Sequence, residues 1–191
     1  MPHIRPFHDG DSVNDLTALL HRAYARLGAT GLNDTAVDQT AAVTAERIRG
    51  GHCFVASADG ALIGMIVVQP IDADNACEYF TRQGVAAVHQ FAVDPGQQGS
   101  GIGRALLQGA ERWAGQNGFA ELAMDTAEAA THLVDLYTRN GYLPVGWVQW
   151  AGQGASQRGA EQAAACVDRG SVLTPNPSTY RLRALLAWRL T

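Results

Sequence analysis

The sequence predicts a mixed α/β (α+β) fold in a single domain, residues 1–191. Three observations carry that expectation. Short β-rich runs alternate with segments of helical spacing, in the order β-α-α-β-β-β-α-β-α-β-β, with no internal repeat and no second core. The composition, 47% hydrophobic and 17% charged, is ordinary for a globular protein. A chain of 191 residues is long enough to bury one sizeable core.

Ile4–Phe7 opens as a short strand. Val13–Leu27 places Val13, Leu16, Leu19, Leu20, Ala23 and Tyr24 at helical spacing, and Gly28 is expected to stop it. After a loop, Asp34 or Thr35 is expected to cap a second helix that reaches about Arg49 and ends at Gly50-Gly51. Cys53–Ser57 and Leu62–Gln69 flank Ala58-Asp59-Gly60, a hairpin around an Asp-Gly turn. A polar connection, Pro70–Gly84, leads to a strand over Val85–Val93, which Asp94-Pro95-Gly96 ends. Ile102–Ala114 reads as an amphipathic helix, Phe119–Asp125 as a strand, and Ala129–Asn140 as a helix closed by Gly141 in a left-handed cap. Tyr142–Trp150 and Tyr180–Leu190 are the last strands. Between them, Ala151–Ser178 is rich in Gly, Ala, Gln and Ser and reads as an insertion with a short helix near Ala160–Val167.

Several functions are excluded by what the chain lacks. The net charge is −4, so no basic face is offered to nucleic acid. No apolar run is long enough to span a membrane, and the N-terminus lacks the layout of a signal peptide. Cys53, Cys77 and Cys166 are odd in number and far apart, so neither a disulfide framework nor a metal site is expected, and a cytoplasmic location follows. All 14 cationic side chains are arginine. Without lysine there is no Walker loop, no Schiff-base chemistry and no kinase strand lysine.

The informative segment is Val93-Asp94-Pro95-Gly96-Gln97-Gln98-Gly99-Ser100-Gly101-Ile102-Gly103-Arg104, which joins a strand to a helix. Glycines at alternate positions let an anion approach the main chain, and the first helical turn offers N–H groups without internal partners. Arg104 adds a cation. The plain alternative is a tight turn that merely needs glycine. A dinucleotide fingerprint is disfavoured, because counting from Gly99 puts Arg104 where the last glycine belongs and the loop follows the fourth strand rather than the first.

Gln98-x-x-Gly101-x-Gly103 resembles the Q/R-x-x-G-x-G/A signature of the Gcn5-related N-acetyltransferase (GNAT) superfamily. Leu136-Tyr137-x-x-Asn140-Gly141-Tyr142 resembles its second motif. The resemblance covers roughly residues 1–150 and the last strand. It implies a mixed, mostly antiparallel sheet splayed between the fourth and fifth strands, here around 88–93 and 119–125, with helices on both faces. It implies acetyl-CoA as acyl donor and no metal. The donor's pantetheine would pair with the backbone of Phe91, Ala92 and Val93, and its pyrophosphate would rest on Gln98, Gly99, Ser100, Gly101, Ile102, Gly103 and Arg104.

Aminolysis of a thioester needs a neutral amine, a polarised carbonyl and a proton for the leaving thiolate. By the resemblance, Tyr137 is that proton donor and also touches the donor; otherwise it is a core aromatic. His89, on the strand the donor would follow, is the candidate base, set against a packed strand histidine. Glu78 is the second candidate, set against a solvated loop acid, and His132 a weaker third. The second motif departs from the family where an asparagine is common, since Ala129-Ala130-Thr131 stands there. Asp34, Asp38, Asp72, Asp74 and Glu78 make the acceptor-side loops mildly acidic, which suits a cationic primary amine on a small molecule or peptide as well as plain solubility. The insertion is expected to serve the acceptor site, a homodimer contact or neither. The alternative to an enzyme is a non-catalytic CoA-binding module of the same fold, which would keep the glycine loop and dispense with Tyr137.

Overall fold

A computed structural model of the protein describes residues 2–29, 35–70, 75, 77–127, 130–151, 163–167 and 180–190. Contacts divide the chain into two units, Met1–Pro70 with Val88–Gly118 and Ile71–Ala87 with Phe119–Thr191.

In the first unit β1 (His3–Pro6), β2 (His52–Ala58), β3 (Ala61–Gln69) and β4 (Val85–Val93, of which Val88–Val93 belong here) follow one another across the sheet. β1 and β2 are antiparallel, as are β2 and β3. The hairpin between β2 and β3 turns on Asp59 and Gly60, both left-handed at φ 50° and 80°, the geometry that matches strand twist and that Asp-Gly tolerates. α1 (Val13–Ala29) covers one face: Leu16, Leu19 and Leu20 pack with Val55, Met65, Val67 and Ala92. α3 (Ile102–Gln116) covers the other, with Gly109 lying over Ile4 and Phe54 and with Trp113 stacked on His52 at 4.8 Å. Helices therefore lie on both faces, which is why β3 is buried without a break from Gly64 to Val68. The Arg5 guanidinium ties the end of β1 to the approach of α1, donating to both carboxylate oxygens of the half-buried Asp11 at 2.7 and 2.6 Å.

Two helix boundaries differ from expectation. α1 runs through Gly28 to Ala29. Gly28 is there for close approach: a Cβ would stand 2.8 Å from Val37 Cγ1. The second helix, α2, begins only at Ala41 and spans Ala41–Arg49. Its cap is Thr40, whose hydroxyl accepts from Val43 N–H at 3.4 Å, while Thr35–Val37 forms a separate 3-10 turn. Asp34 lies outside the described residues, as do Asp72, Asp74 and Ala129.

In the second unit the order is β4 (Val85–Ala87), β5 (Glu121–Ala127), β8 (Tyr180–Arg189), β6 (Leu143–Ala151) and β7 (Ala163–Val167). The pairing of β4 with β5 is parallel and covers Val85–Ala87 against Glu121–Ala123, ending there although both strands continue. The remaining pairs are antiparallel. The insertion thus carries a strand, β7, where a short helix was expected near Ala160–Val167. Its backbone pairs with β6, a tertiary pairing that outweighs the helix propensity of an alanine-rich run. The rest of the insertion, 152–162 and 168–178, lies outside the described residues.

α4 (Thr131–Arg139) packs against β5 and β6. Gly141 follows it at φ 93°, the left-handed position the sequence predicted, directly beneath the Trp188 ring. The core here gathers Tyr79, Phe80, Val85, Ala87, Ala123 and Leu185. Tyr79 donates to Glu121 at 2.7 Å, and burial first, then that bond, pushes its phenol up to about 12. Cys53 is free and buried, whereas Cys77 is held in a disulfide. The disulfide at Cys77 corrects the expectation from cysteine spacing, which carries no sign of it. Among the described residues no helix is long and apolar enough to cross a membrane.

Candidate functional site

The glycine loop is built from the end of β4 outward. Asp94 N–H donates to Ile63 O on β3 at 2.9 Å, which holds the exit of the strand. The Asp94 carboxylate then caps a 3-10 turn over Pro95–Gln97, accepting from Gly96 N–H at 3.0 Å. Its other oxygen accepts from Arg22 on α1, from Nε at 3.1 Å and from Nη2 at 2.8 Å. The Arg22 bonds, above all, hold the Asp94 carboxyl below the usual carboxylate range.

Beyond the turn, Gly99 and Gly101 take left-handed φ values of 80° and 87°, which any side chain would strain. Ser100 N–H and Oγ–H both turn back onto Gln97 O, and Ala105 N–H closes the first helical bond onto Gly101 O at 3.0 Å. The N–H groups of Gln98, Gly99, Gly101, Ile102, Gly103 and Arg104 have no partner among the described residues, and α3 has no side-chain cap. Successive unpartnered N–H groups around left-handed glycines form an anion-binding concavity, reinforced by the positive end of the α3 dipole. Ile102 is buried and anchors the helix start, while Arg104 is exposed and carries no ion pair among the described residues.

Phe91–Val93 lie beside this loop in the same unit. A Cβ on Gly103 would touch Phe91 Cζ at 3.4 Å and Val93 Cγ2 at 3.7 Å, so the helix start rests on these strand side chains. Phe91 O accepts from Tyr24 Oη at 3.1 Å, and Val93 O accepts from Gln98 Nε2 at 3.4 Å.

The candidate catalytic residues fall as follows. His89 is half-buried on β4 in the first unit. Gln90 beside it has φ 49°, so β4 is locally left-handed within its extended run and simple alternation does not set the facing of its neighbours. In the second unit Tyr137 is buried near the C-terminal end of α4, edge-on to Tyr142 with ring centroids 6.3 Å apart. Glu78 is exposed on a 3-10 turn, Glu78–Thr81, and its main-chain carbonyl accepts from Thr81 Oγ1 at 2.8 Å. His132 is exposed in the first turn of α4. Among the described residues no group of His, Cys, Asp or Glu is arranged to hold a metal ion.

Sequence reading missed Arg22, Tyr24 and the Asp94 carboxylate as supports of the loop. Asp94-Pro95-Gly96 carries a readable signal, since an aspartate before Pro-Gly caps its own turn. Arg22 and Tyr24 carry none, because their partners lie 72 and 67 residues away.

Residues 16–142 match the acetyltransferase (GNAT) family. The chain is similar to S-(2-succino)cysteine N-acetyltransferase of Bacillus subtilis, at 28% identity over 140 residues, which covers 72% of this chain and 81% of that protein. Among solved structures it is similar to an IAA acetyltransferase from Bacillus cereus, with TM-score 0.65, 19% identity and 100% of both chains covered. It is also similar to a GNAT family acetyltransferase from Elizabethkingia anophelis with acetyl-CoA bound, with TM-score 0.63, 17% identity and 99% and 98% of the two chains covered.

Proposed function

The chain belongs to the acetyltransferase (GNAT) family, and we propose that it transfers an acetyl group from acetyl-CoA to a primary amine of a small molecule or peptide. The observation that carries this is the run of unpartnered N–H groups at Gln98, Gly99 and Gly101–Arg104, an anion cradle that fits the pyrophosphate of the donor. Arg104 supplies the neutralising cation.

The residues would divide the work as follows. The cradle holds the pyrophosphate, and the main chain of Phe91–Val93 pairs with the pantetheine amides as an added strand would. The amine attacks the thioester carbon, its proton passing to a base. The tetrahedral intermediate then collapses, the C–S bond breaks, and the thiolate takes a proton from the Tyr137 phenol. His89 is proposed as the base, with Glu78 second. The role of Tyr137 is what separates an enzyme from a CoA-binding module. A cytoplasmic location belongs to the same proposal and rests on the donor, because the disulfide at Cys77 removes the argument from cysteine usage.

The test is release of free CoA from acetyl-CoA, followed with a thiol reagent across a panel of primary amines. Amine-dependent release with a matching N-acetylated product supports the proposal. Donor binding without release by any amine favours the non-catalytic module.

A further inference from the structure

Gln90 sits in the middle of β4 within the apolar run Val85-Ala86-Ala87-Val88, His89, then Phe91-Ala92-Val93. The residue is 6% exposed, and neither its Nε2 nor its Oε1 has a hydrogen-bond partner among the described residues. Leaving a buried amide group unpaired forfeits its hydration with nothing in return, so native chains rarely keep one. Gln39, the other buried glutamine, differs: its Nε2 donates to Thr44 Oγ1 at 2.6 Å and only Oε1 is unpaired.

The backbone makes the same point independently. Among the described residues Gln90 and Asp59 are the non-glycine residues with positive φ, and Asp59 is in a hairpin turn. Gln90, at φ 49°, is inside a strand, where left-handed backbone is strained for any residue but glycine. Strain and an orphaned polar group at one residue mark a functional position, because a stability role would have removed both.

We propose that Gln90 is a specificity-determining residue whose carboxamide binds the amine acceptor, and that the acceptor carries a carbonyl, as an amide or a carboxylate, beside its reacting amine. This rests on the acetyl-transfer reading above. Along β4 the cradle follows Val93 and the donor's amides occupy the main chain of Phe91–Val93, so Gln90 is the next residue toward the reacting end. In that reading the donor's pyrophosphate and pantetheine amides are already served by main chain, and a donor and an acceptor side by side suit the acceptor substrate better than the lone thioester oxygen. A carboxamide offers an N–H₂ donor and a carbonyl acceptor side by side, and its complement is a carbonyl or carboxylate oxygen next to an N–H. The side chain's last torsion is soft, so either amide atom can be turned toward a given partner. A site built to pair both atoms rejects amines that lack the carbonyl, since those would leave it unsatisfied.

The experiment compares wild type with Gln90→Met, which keeps the volume and removes both polar atoms, and with Gln90→Glu, which keeps an acceptor oxygen and adds charge. The probes are amino acids, amino-acid amides and alkylamines of matched size without a carbonyl, each with acetyl-CoA. Wild type is expected to prefer the carbonyl-bearing amines. Gln90→Met is expected to lower kcat/KM for them roughly 10- to 100-fold, erasing the preference, with the KM for acetyl-CoA within about 3-fold and no loss of Tm. Gln90→Glu is expected to turn away carboxylate-bearing amines more than amides. A wild type without the preference, a preference that survives Gln90→Met, a lowered Tm in that variant, or an effect confined to acetyl-CoA KM each overturns the proposal. So does silence of wild type across the panel while acetyl-CoA still raises its Tm. If acetyl-CoA does not raise the Tm of wild type, the acetyl-transfer reading itself has failed.

Discussion

The Arg22 guanidinium on α1 donates two hydrogen bonds to the Asp94 carboxylate at the head of the glycine loop, at 3.1 and 2.8 Å. A single carboxylate thereby fixes both its own turn, through Gly96, and the position of the turn against α1. The pair is partly exposed, so it contributes little to global stability, about 0.2–1 kcal/mol. Its effect is expected on the loop. Arg22→Ala should raise the KM for acetyl-CoA several-fold with kcat nearly unchanged. Equal losses in both would show that Arg22 acts on the chemistry instead.

Arg5 and Asp11 give the pH dependence. Hydrogen bonding from Arg5 is the main cause that holds the Asp11 carboxyl below its ordinary value. A carboxyl whose folded pKa is depressed contributes stability above its unfolded value, and that stability is lost as pH falls through the folded one. Asp11→Asn should therefore cost about 1 kcal/mol near neutrality, measured by urea unfolding, and the gap to wild type should close below the ordinary carboxylate range near pH ~4. A gap that stays constant to pH ~2 would contradict the assignment.

Gly141 and Gly115 make opposite expectations. A Cβ at Gly141 would collide with the Trp188 ring, and its φ of 93° disfavours any side chain. Gly141→Ala should cost roughly 3 kcal/mol from backbone strain and overpacking together. Gly115, in the last turn of α3, has open space around it, and Gly115→Ala should stabilise by about 0.4–1 kcal/mol. Thermal unfolding of the two variants checks both signs.

Tyr137→Phe removes one oxygen from a buried ring that stays packed edge-on to Tyr142. If the phenol protonates the leaving thiolate, kcat should fall about 10²-fold or more while acetyl-CoA affinity changes little. Unchanged turnover would return Tyr137 to a packing role.

The parts of this fold that local chemistry decides were legible. Asp59-Gly60 dictates its turn between two β-rich runs, and Gly141 its left-handed cap. The loop was legible for the same reason, since its glycines and its helix start are consecutive. What was not legible depends on partners far away. Gly28 looks like a helix stop, but Val37 makes it a packing glycine inside α1. Ala163–Val167 looks helical, but β6 draws it into a strand. Gln90 left a trace, a glutamine in an apolar strand, yet neither its burial nor its φ is written in the neighbouring residues.

Acetyl-CoA binding to wild type, measured as a shift in Tm with NAD as the control, tests the central claim most directly. At a concentration 100 times Kd the donor should stabilise by about 2.7 kcal/mol, raising Tm by roughly 5–10 °C, while NAD gives no shift. A Tm unmoved by acetyl-CoA, or moved equally by NAD, would contradict it.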